Sequence, residues 1–342
     1  MRKVKRALRF GLFIVTIFVL INRGLTYYNE KSLNGSDVTP ASVVKEISNL
    51  TGQSIEKTVS EAVDNVSNTY IPVITKKKEI ITSESLGEIM VTFIDVGQGD
   101  SILVEDNGHN MLIDTGYYSE YENLTATLNE HGVDTIDCLV LTHPDADHIQ
   151  SAPEIISEYS VQKIYTTNIE SESKSYEYLQ KIISLFGVDV VYPSAGDYID
   201  FGTATYYVAG PVKNEEGIYD DVNSYSLIIK IINGNDSFLL TGDATGDETK
   251  DILNAGIDVS AMLYKAAHHG SANDGCNEDI FVNAVNPQIA VISCGLDNSY
   301  GHPHRETMQL FNNKELYVYR TDTMGSISFL STGNSISVIT EK

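Results

Sequence analysis

Cations are scarce in this chain. Against 47 aspartates and glutamates stand 23 lysines and arginines, a formal charge of −24 over 342 residues. The shortage is uneven: residues 87–342 hold 11 of the cations and 39 of the acids, a formal charge of −28. A region of that sign shows no basic groove of the kind that tracks nucleic-acid phosphates. Cysteine is scarce too. Cys138, Cys276 and Cys294 are odd in number and lack zinc-type spacing, which argues against a disulfide framework. Cys138 and Cys294 sit in apolar, strand-like stretches and read as small core residues rather than thiolate nucleophiles. No internal period short enough for a solenoid is present. Histidine is also unevenly placed: of eight, none lies between His148 and His268.

Long apolar runs are missing as well, with one short exception. Phe10–Ile21 is almost unbroken apolar sequence behind the basic residues Arg2, Lys3, Lys5, Arg6 and Arg9. It is short for a relaxed membrane span and falls within the range of a signal-peptide core. No small-x-small cleavage pattern and no lipobox cysteine follow it. Residues 1–29 therefore read as a signal anchor with its basic end in the cytoplasm, a cleaved signal being the alternative. Either way the remainder is extracytoplasmic, and the cytoplasmic membrane is a partner. Residues 30–86 are polar and read as a linker or stalk. Within them Val44, Ile47, Ile55, Val59, Ala62 and Val66 are spaced as one helix face. Lys76–Lys78 reads as a solvated hinge.

From Gly87 to Lys342 the pattern is strand and helix interleaved. Ile89–Asp95 alternates into Gly97-Gln98-Gly99, Asn107-Gly108 is a hairpin turn, and Tyr121–His131 is a helix stopped by Gly132. Further helices are expected over Glu154–Tyr159 and Ser175–Leu185, the latter capped by Gly187. Strands follow over Val188–Tyr192, Thr203–Val208, Tyr225–Ile232, Ser237–Thr241 and Leu263–Ala267. Two mixed sheets face to face with helices outside fit this order.

The chemistry gathers in Leu139–Ser151, LVLTHPDADHIQS. A short buried strand runs into a loop holding His143, Asp145, Asp147 and His148, all competent metal ligands. His143 and Asp145 are two apart and point the same way in an extended chain, which Pro144 favours. Asp147 and His148 are adjacent and project differently.

HPDADH resembles the His-x-His-x-Asp-His signature of the metallo-β-lactamase fold, with Asp145 in place of the second histidine. That variant is the form carried by the hydrolase domain of ComEC-type DNA-uptake proteins. FIDVGQGDS (Phe93–Ser101), LIDTG (Leu112–Gly116), DVNSYSL (Asp221–Leu227), LLTGDA (Leu239–Ala244), AHHGS (Ala267–Ser271), YGHPH (Tyr300–His304) and YRTDTMGSI (Tyr319–Ile327) match the same branch in order. The resemblance implies an αββα sandwich and a divalent metal centre. It makes Asp243 a ligand shared by two ions, and Asp114 a carboxylate that orients a ligand imidazole; Asp100 is assigned a similar supporting role. Aligned on its following Gly-Ser, the pair His268-His269 offers His268 as the last ligand and leaves His269 for leaving-group contacts.

The tight site is then Asp147, His148, Asp243 and His268. Relatives with two metals place a further histidine where this sequence has none, so His143, Asp145 and Asp243, with Asn223 or Ser224, form a weaker first site. Oxygen-rich ligation lets manganese or magnesium compete with zinc. Asn223, Ser271, His304 and Arg305 are candidates for binding substrate, and His302 for phosphate contact or protonating a leaving oxygen. Asp147 and Asp243 would orient the attacking water.

The implied reaction is phosphodiester hydrolysis, with DNA as the leading substrate. The polytopic channel region of ComEC-type proteins is absent from this sequence, so translocation is not implied. A nucleotide, lactone, thioester or cell-surface phosphoester is the alternative substrate class. A non-catalytic binding module is a third reading.

Overall fold

The structure, a computed structural model, describes residues 87–215 and 217–342. The expected anchor, stalk helix and lysine hinge lie outside the described residues, as do both boundaries drawn before residue 87. Among the described residues no helix is long and apolar enough to cross a membrane.

Two large sheets dominate. The eight-stranded sheet runs, edge to edge, Ile336–Thr340, Ile327–Ser331, Ile89–Phe93, Ile102–Asp106, His109–Ile113, Cys138–Leu141, Lys163–Thr166 and Asp189–Val191. It is antiparallel up to His109–Ile113 and parallel beyond it. The seven-stranded sheet runs Tyr317–Arg320, Ile289–Ile292, Leu263–Lys265, Asp236–Leu240, Ile228–Asn233, Thr205–Gly210 and Tyr198–Ile199.

Alternation along each strand builds three apolar layers, because successive side chains leave opposite faces. Ile102, Val104, Met111 and Ile113 face the second sheet, meeting Leu227, Ile229, Phe238 and Leu240 in the central core. Leu103, Leu112 and Leu139 turn outward onto Leu124, Leu128, Ile155, Leu179 and Ile183 of the helices Tyr121–Glu130, Ala152–Glu158 and Lys174–Phe186. On the far side Ile228, Leu239, Tyr264 and Ala290 pack on Ile252, Phe281, Val282 and Phe311, from three more helices, Gly246–Asn254, Asp279–Val285 and Arg305–Asn313. This is the expected αββα sandwich.

Buried polar contacts tie the sheets together. Asp106 ends its strand in the core and accepts bonds from the Thr203 and Ala204 amides, the Thr203 hydroxyl (2.6 Å) and the Tyr206 hydroxyl (3.0 Å). Local signals hold where they are covalent or capping. Ser173 accepts the Tyr176 amide at the start of Lys174–Phe186, and Gly187 ends that helix in the left-handed region. Two readings shift. Tyr225 does not begin a strand: Val222–Tyr225 is a 3-10 turn capped by the Asp221 side chain, and the strand starts at Ile228. The expected loop around Asp147 becomes helical over Ala146–Ile149, because the Asp145 carbonyl accepts the His148 and Ile149 amides.

Candidate metal centre

Strand ends from both sheets deliver the acidic and imidazole groups to one rim. Leu141 ends a strand of the first sheet and releases Thr142-His143, and Asp145 follows beyond Pro144 with extended backbone (φ −73, ψ 148). His143 Nε2 and Asp145 Oδ2 are 3.8 Å apart, on one side of the chain as their spacing requires. Leu240 ends a strand of the second sheet and releases Asp243. Lys265 ends its neighbour, releasing His268 and His269, both in the left-handed region (φ 48 and 53). Two consecutive non-glycine residues there are strained, a feature that concentrates at functional sites.

Asp147, His148, Asp243 and His269 bring one ligating atom each within 4.8 Å of the others. Asp243 Oδ2 lies 3.3 Å from His148 Nε2 and 3.3 Å from His269 Nε2, while Asp147 Oδ2 is 3.2 Å from His269 Nε2. This revises the reading of the histidine pair. His269, not the expected His268, joins the set; His268 is partly exposed, 3.6 Å from Asp243 Oδ2, with its Nδ1 beside the Cys276 sulfur. The two rings approach the same carboxylate oxygen but lie edge-on to one another, their centroids 5.9 Å apart.

The other nitrogen of each buried imidazole is already committed. Thr142 donates its hydroxyl proton to Asp114 Oδ2 (2.7 Å), so its oxygen accepts from His143 Nδ1 (3.0 Å). His148 Nδ1 donates to Asp114 Oδ2 (2.7 Å), and His269 Nδ1 donates to the Ser293 carbonyl (3.0 Å). The Nε2 atoms of His143, His148 and His269, with Asp243 Oδ1, are buried and have no hydrogen-bond partner. Such groups are costly unless something binds them, and three imidazole lone pairs with two carboxylates suit a divalent cation.

The electrostatics agree. Burial opposes charge on His148 and His269, yet the surrounding carboxylates, Asp243 foremost, hold both imidazoles well above their ordinary range. Burial likewise opposes ionisation of Asp243, but His269 and His148 hold it well below the usual carboxylate range. Asp145 differs: burial, with the like charges of Asp147 and Asp243 outweighing His148, pushes it up to about 6. His143 is pushed down to about 3 by burial and by His148. The cluster as a whole favours added positive charge.

Supporting residues surround it. Asp114, itself left-handed (φ 59) and fully buried, accepts the Thr142 amide (2.8 Å) besides its bonds to Thr142 and His148. Asp100 sits behind His269, with Oδ1 3.5 Å from His269 Nδ1. Its amide donates to the Asp147 carbonyl, an approach that needs Gly99 (φ 125), since a side chain there would collide with that carbonyl.

The substrate-side expectations fare unevenly. Asn223 is buried with an unpartnered Oδ1. Ser271 is buried and its hydroxyl accepts the Asn273 amide. His304 spends both ring nitrogens on backbone, at the Ala272 amide (2.9 Å) and the Tyr300 carbonyl (3.2 Å); it clamps the loop. Arg305 is exposed at the start of its helix. His302 lies beside the histidine pair, its ring 5.5 Å from that of His268 and 5.9 Å from that of His269. Burial and those imidazoles push it down to about 4, so at neutral pH it is an uncharged imidazole.

Sequence reasoning missed Lys265. Fully buried, it pairs with Asp100 Oδ2 (2.7 Å) and donates to the Ala266 carbonyl (3.0 Å) and the Gly242 carbonyl (3.4 Å). It thereby joins the three segments that carry Asp100, Asp243 and His269. A lone lysine in an apolar strand was the available signal.

Residues 94–274 match the Metallo-beta-lactamase superfamily. The chain is 30% identical over 258 residues to ComE operon protein 3 of Bacillus subtilis (strain 168), covering 70% of this chain and 32% of that protein. It is 27% identical over 244 residues to competence protein ComA of Neisseria gonorrhoeae, covering 71% of this chain and 32% of that one. The chain thus spans about a third of the length of these relatives. Among solved structures, a metallo hydrolase from Ignicoccus hospitalis aligns with TM-score 0.46 and 13% identity, over 70% of this chain and 98% of that one. With its match covering more than half of the sequence, the chain belongs to the metallo-beta-lactamase superfamily, and within it is similar to competence proteins.

Proposed function

We propose that this protein is an exported, membrane-anchored phosphodiesterase that cleaves DNA with a divalent metal. The observation that carries the reading is the gathering of two buried, unpartnered Nε2 atoms, those of His148 and His269, beside Asp147 and Asp243, with that of His143 beside Asp145. The similarity to competence proteins supports DNA as the substrate.

In this reading Asp147, His148, Asp243 and His269 hold the tighter ion. His143, Asp145 and Asp243 flank a weaker one, with His268 close enough to Asp243 to assist. Oxygen-rich ligation favours manganese, with zinc and magnesium as competitors. A bound ion would polarise the scissile phosphate and lower the pKa of an attacking water. Asp147 and Asp243 would orient that water. His302, neutral at pH 7, donates a hydrogen bond to a non-bridging phosphate oxygen. His302 is less suited than expected to protonating a leaving oxygen, because its imidazolium is disfavoured.

The test is turnover of single-stranded DNA, duplex DNA, bis-p-nitrophenyl phosphate and a lactone with manganese, magnesium or zinc. Metal-dependent cleavage of the phosphodiesters alone supports the reading; lactone turnover without phosphodiester turnover moves the protein to another substrate class. The location follows from the sequence of residues 1–29. Protease added to intact cells with an accessible outer face should digest residues 87–342, and complete protection would overturn the topology.

A further inference from the structure

Tyr300 is an exposed aromatic residue with no apparent structural need to be one. Its ring is 57% exposed and lies nearly parallel to the His302 ring, with centroids 5.7 Å apart and planes inclined by 18°. His302 in turn borders His268 edge-on and His269 at a tilt, so Tyr300 is the outermost ring of an aromatic cluster that reaches the histidine pair. The loop beneath is held in place from several sides. Asn298 Oδ1 accepts the Tyr300 amide (3.2 Å) and the His302 amide (3.0 Å), while Asn298 Nδ2 donates to the carbonyls of Gly295 and His302. His304 fixes the Tyr300 carbonyl. The ring is therefore pre-positioned, with one face against His302 and the other toward solvent.

Charge offers a polyanion little nearby: Arg305 is the one lysine or arginine over residues 294–313, and Lys265 is sealed and bonded to Asp100. A substrate met by residues of net formal charge −28 must gain affinity from something besides ion pairing.

Resting on the phosphodiesterase reading, we propose that Tyr300 is a stacking platform for the nucleobase next to the scissile phosphate. Every base has a π-face, so such a platform is sequence-tolerant. A duplex keeps its bases stacked on one another, so the platform selects single-stranded or frayed ends.

The test uses the full chain with manganese and two oligonucleotides of equal length, one with ordinary bases and one built with tetrahydrofuran abasic residues around the cleavage position. Unmodified protein should prefer the base-bearing strand in kcat/KM. Tyr300→Ala should shrink that preference about tenfold, mostly through KM, and Tyr300→Phe should keep it. Equal losses on both strands, or a Phe variant as poor as Ala, would overturn the proposal. If neither strand is cleaved, the hydrolase reading fails by itself, and fluorescence anisotropy decides the subsite. Tighter binding of the base-bearing strand, lost in Tyr300→Ala, sustains it; equal binding of the two strands rejects it.

Discussion

Lys265 Nζ lies 2.7 Å from Asp100 Oδ2, with both side chains closed to solvent directly behind His269. Burial would raise the Asp100 carboxyl, but Lys265 and His269 hold it below its ordinary value. Removing one partner leaves the other charge uncompensated in the interior. Lys265→Met should destabilise the protein by about 3–5 kcal/mol in chemical denaturation. The double variant Lys265→Met/Asp100→Asn should recover much of that loss. A double variant as unstable as the single would show that Lys265 acts by packing rather than by charge.

The histidine pair gives a sharper test. His269→Ala removes an imidazole from the four-residue cluster and should abolish tight metal binding together with turnover. His268→Ala should leave the tight ion in place and weaken only a second, looser one. Metal analysis followed by titration calorimetry should find about one tight manganese per chain in the unmodified protein. Two equally tight ions would mean that the residues around His143 and Asp145 make a complete site.

Asp114 touches no proposed substrate position, yet it fixes His148 and, through Thr142, His143. Asp114→Asn keeps the shape and weakens the acceptor. Metal affinity should fall about 10–100-fold, the usual cost of losing a carboxylate that orients a ligand histidine. Unchanged affinity would mean that packing alone sets the rings.

Glu248 is buried beneath the Asp243 segment, and neither of its carboxylate oxygens has a hydrogen-bond partner. Burial holds its pKa well above the ordinary 4.5, so the folded protein keeps it neutral where the unfolded chain ionises it. The sign follows from linkage. Its contribution to stability is fully present below 4.5 and is lost as pH rises through the folded value. Glu248→Gln should therefore match the unmodified protein at low pH and become progressively more stable than it as pH rises. Urea midpoints measured from acidic to alkaline pH would show this; parallel curves would refute it.

The sequence by itself determined the layered fold, since alternation and helix periodicity are local properties that fix which face each segment buries. It also determined that His143 and Asp145 face one way, because residue spacing and Pro144 constrain that backbone directly. It named Asp114, Asp147, His148 and Asp243 through motifs, each at a strand end or in the loop just after one. Only the tertiary structure brings His269 closer than His268 to Asp243, because in consecutive left-handed residues ring direction depends on backbone angles that the sequence does not display. Only tertiary structure gave Lys265 its partner, 165 positions away in the chain and on the other sheet. It also gave His304 its backbone clamp, since the Ala272 amide, 32 positions away, becomes a neighbour only after the chain has folded.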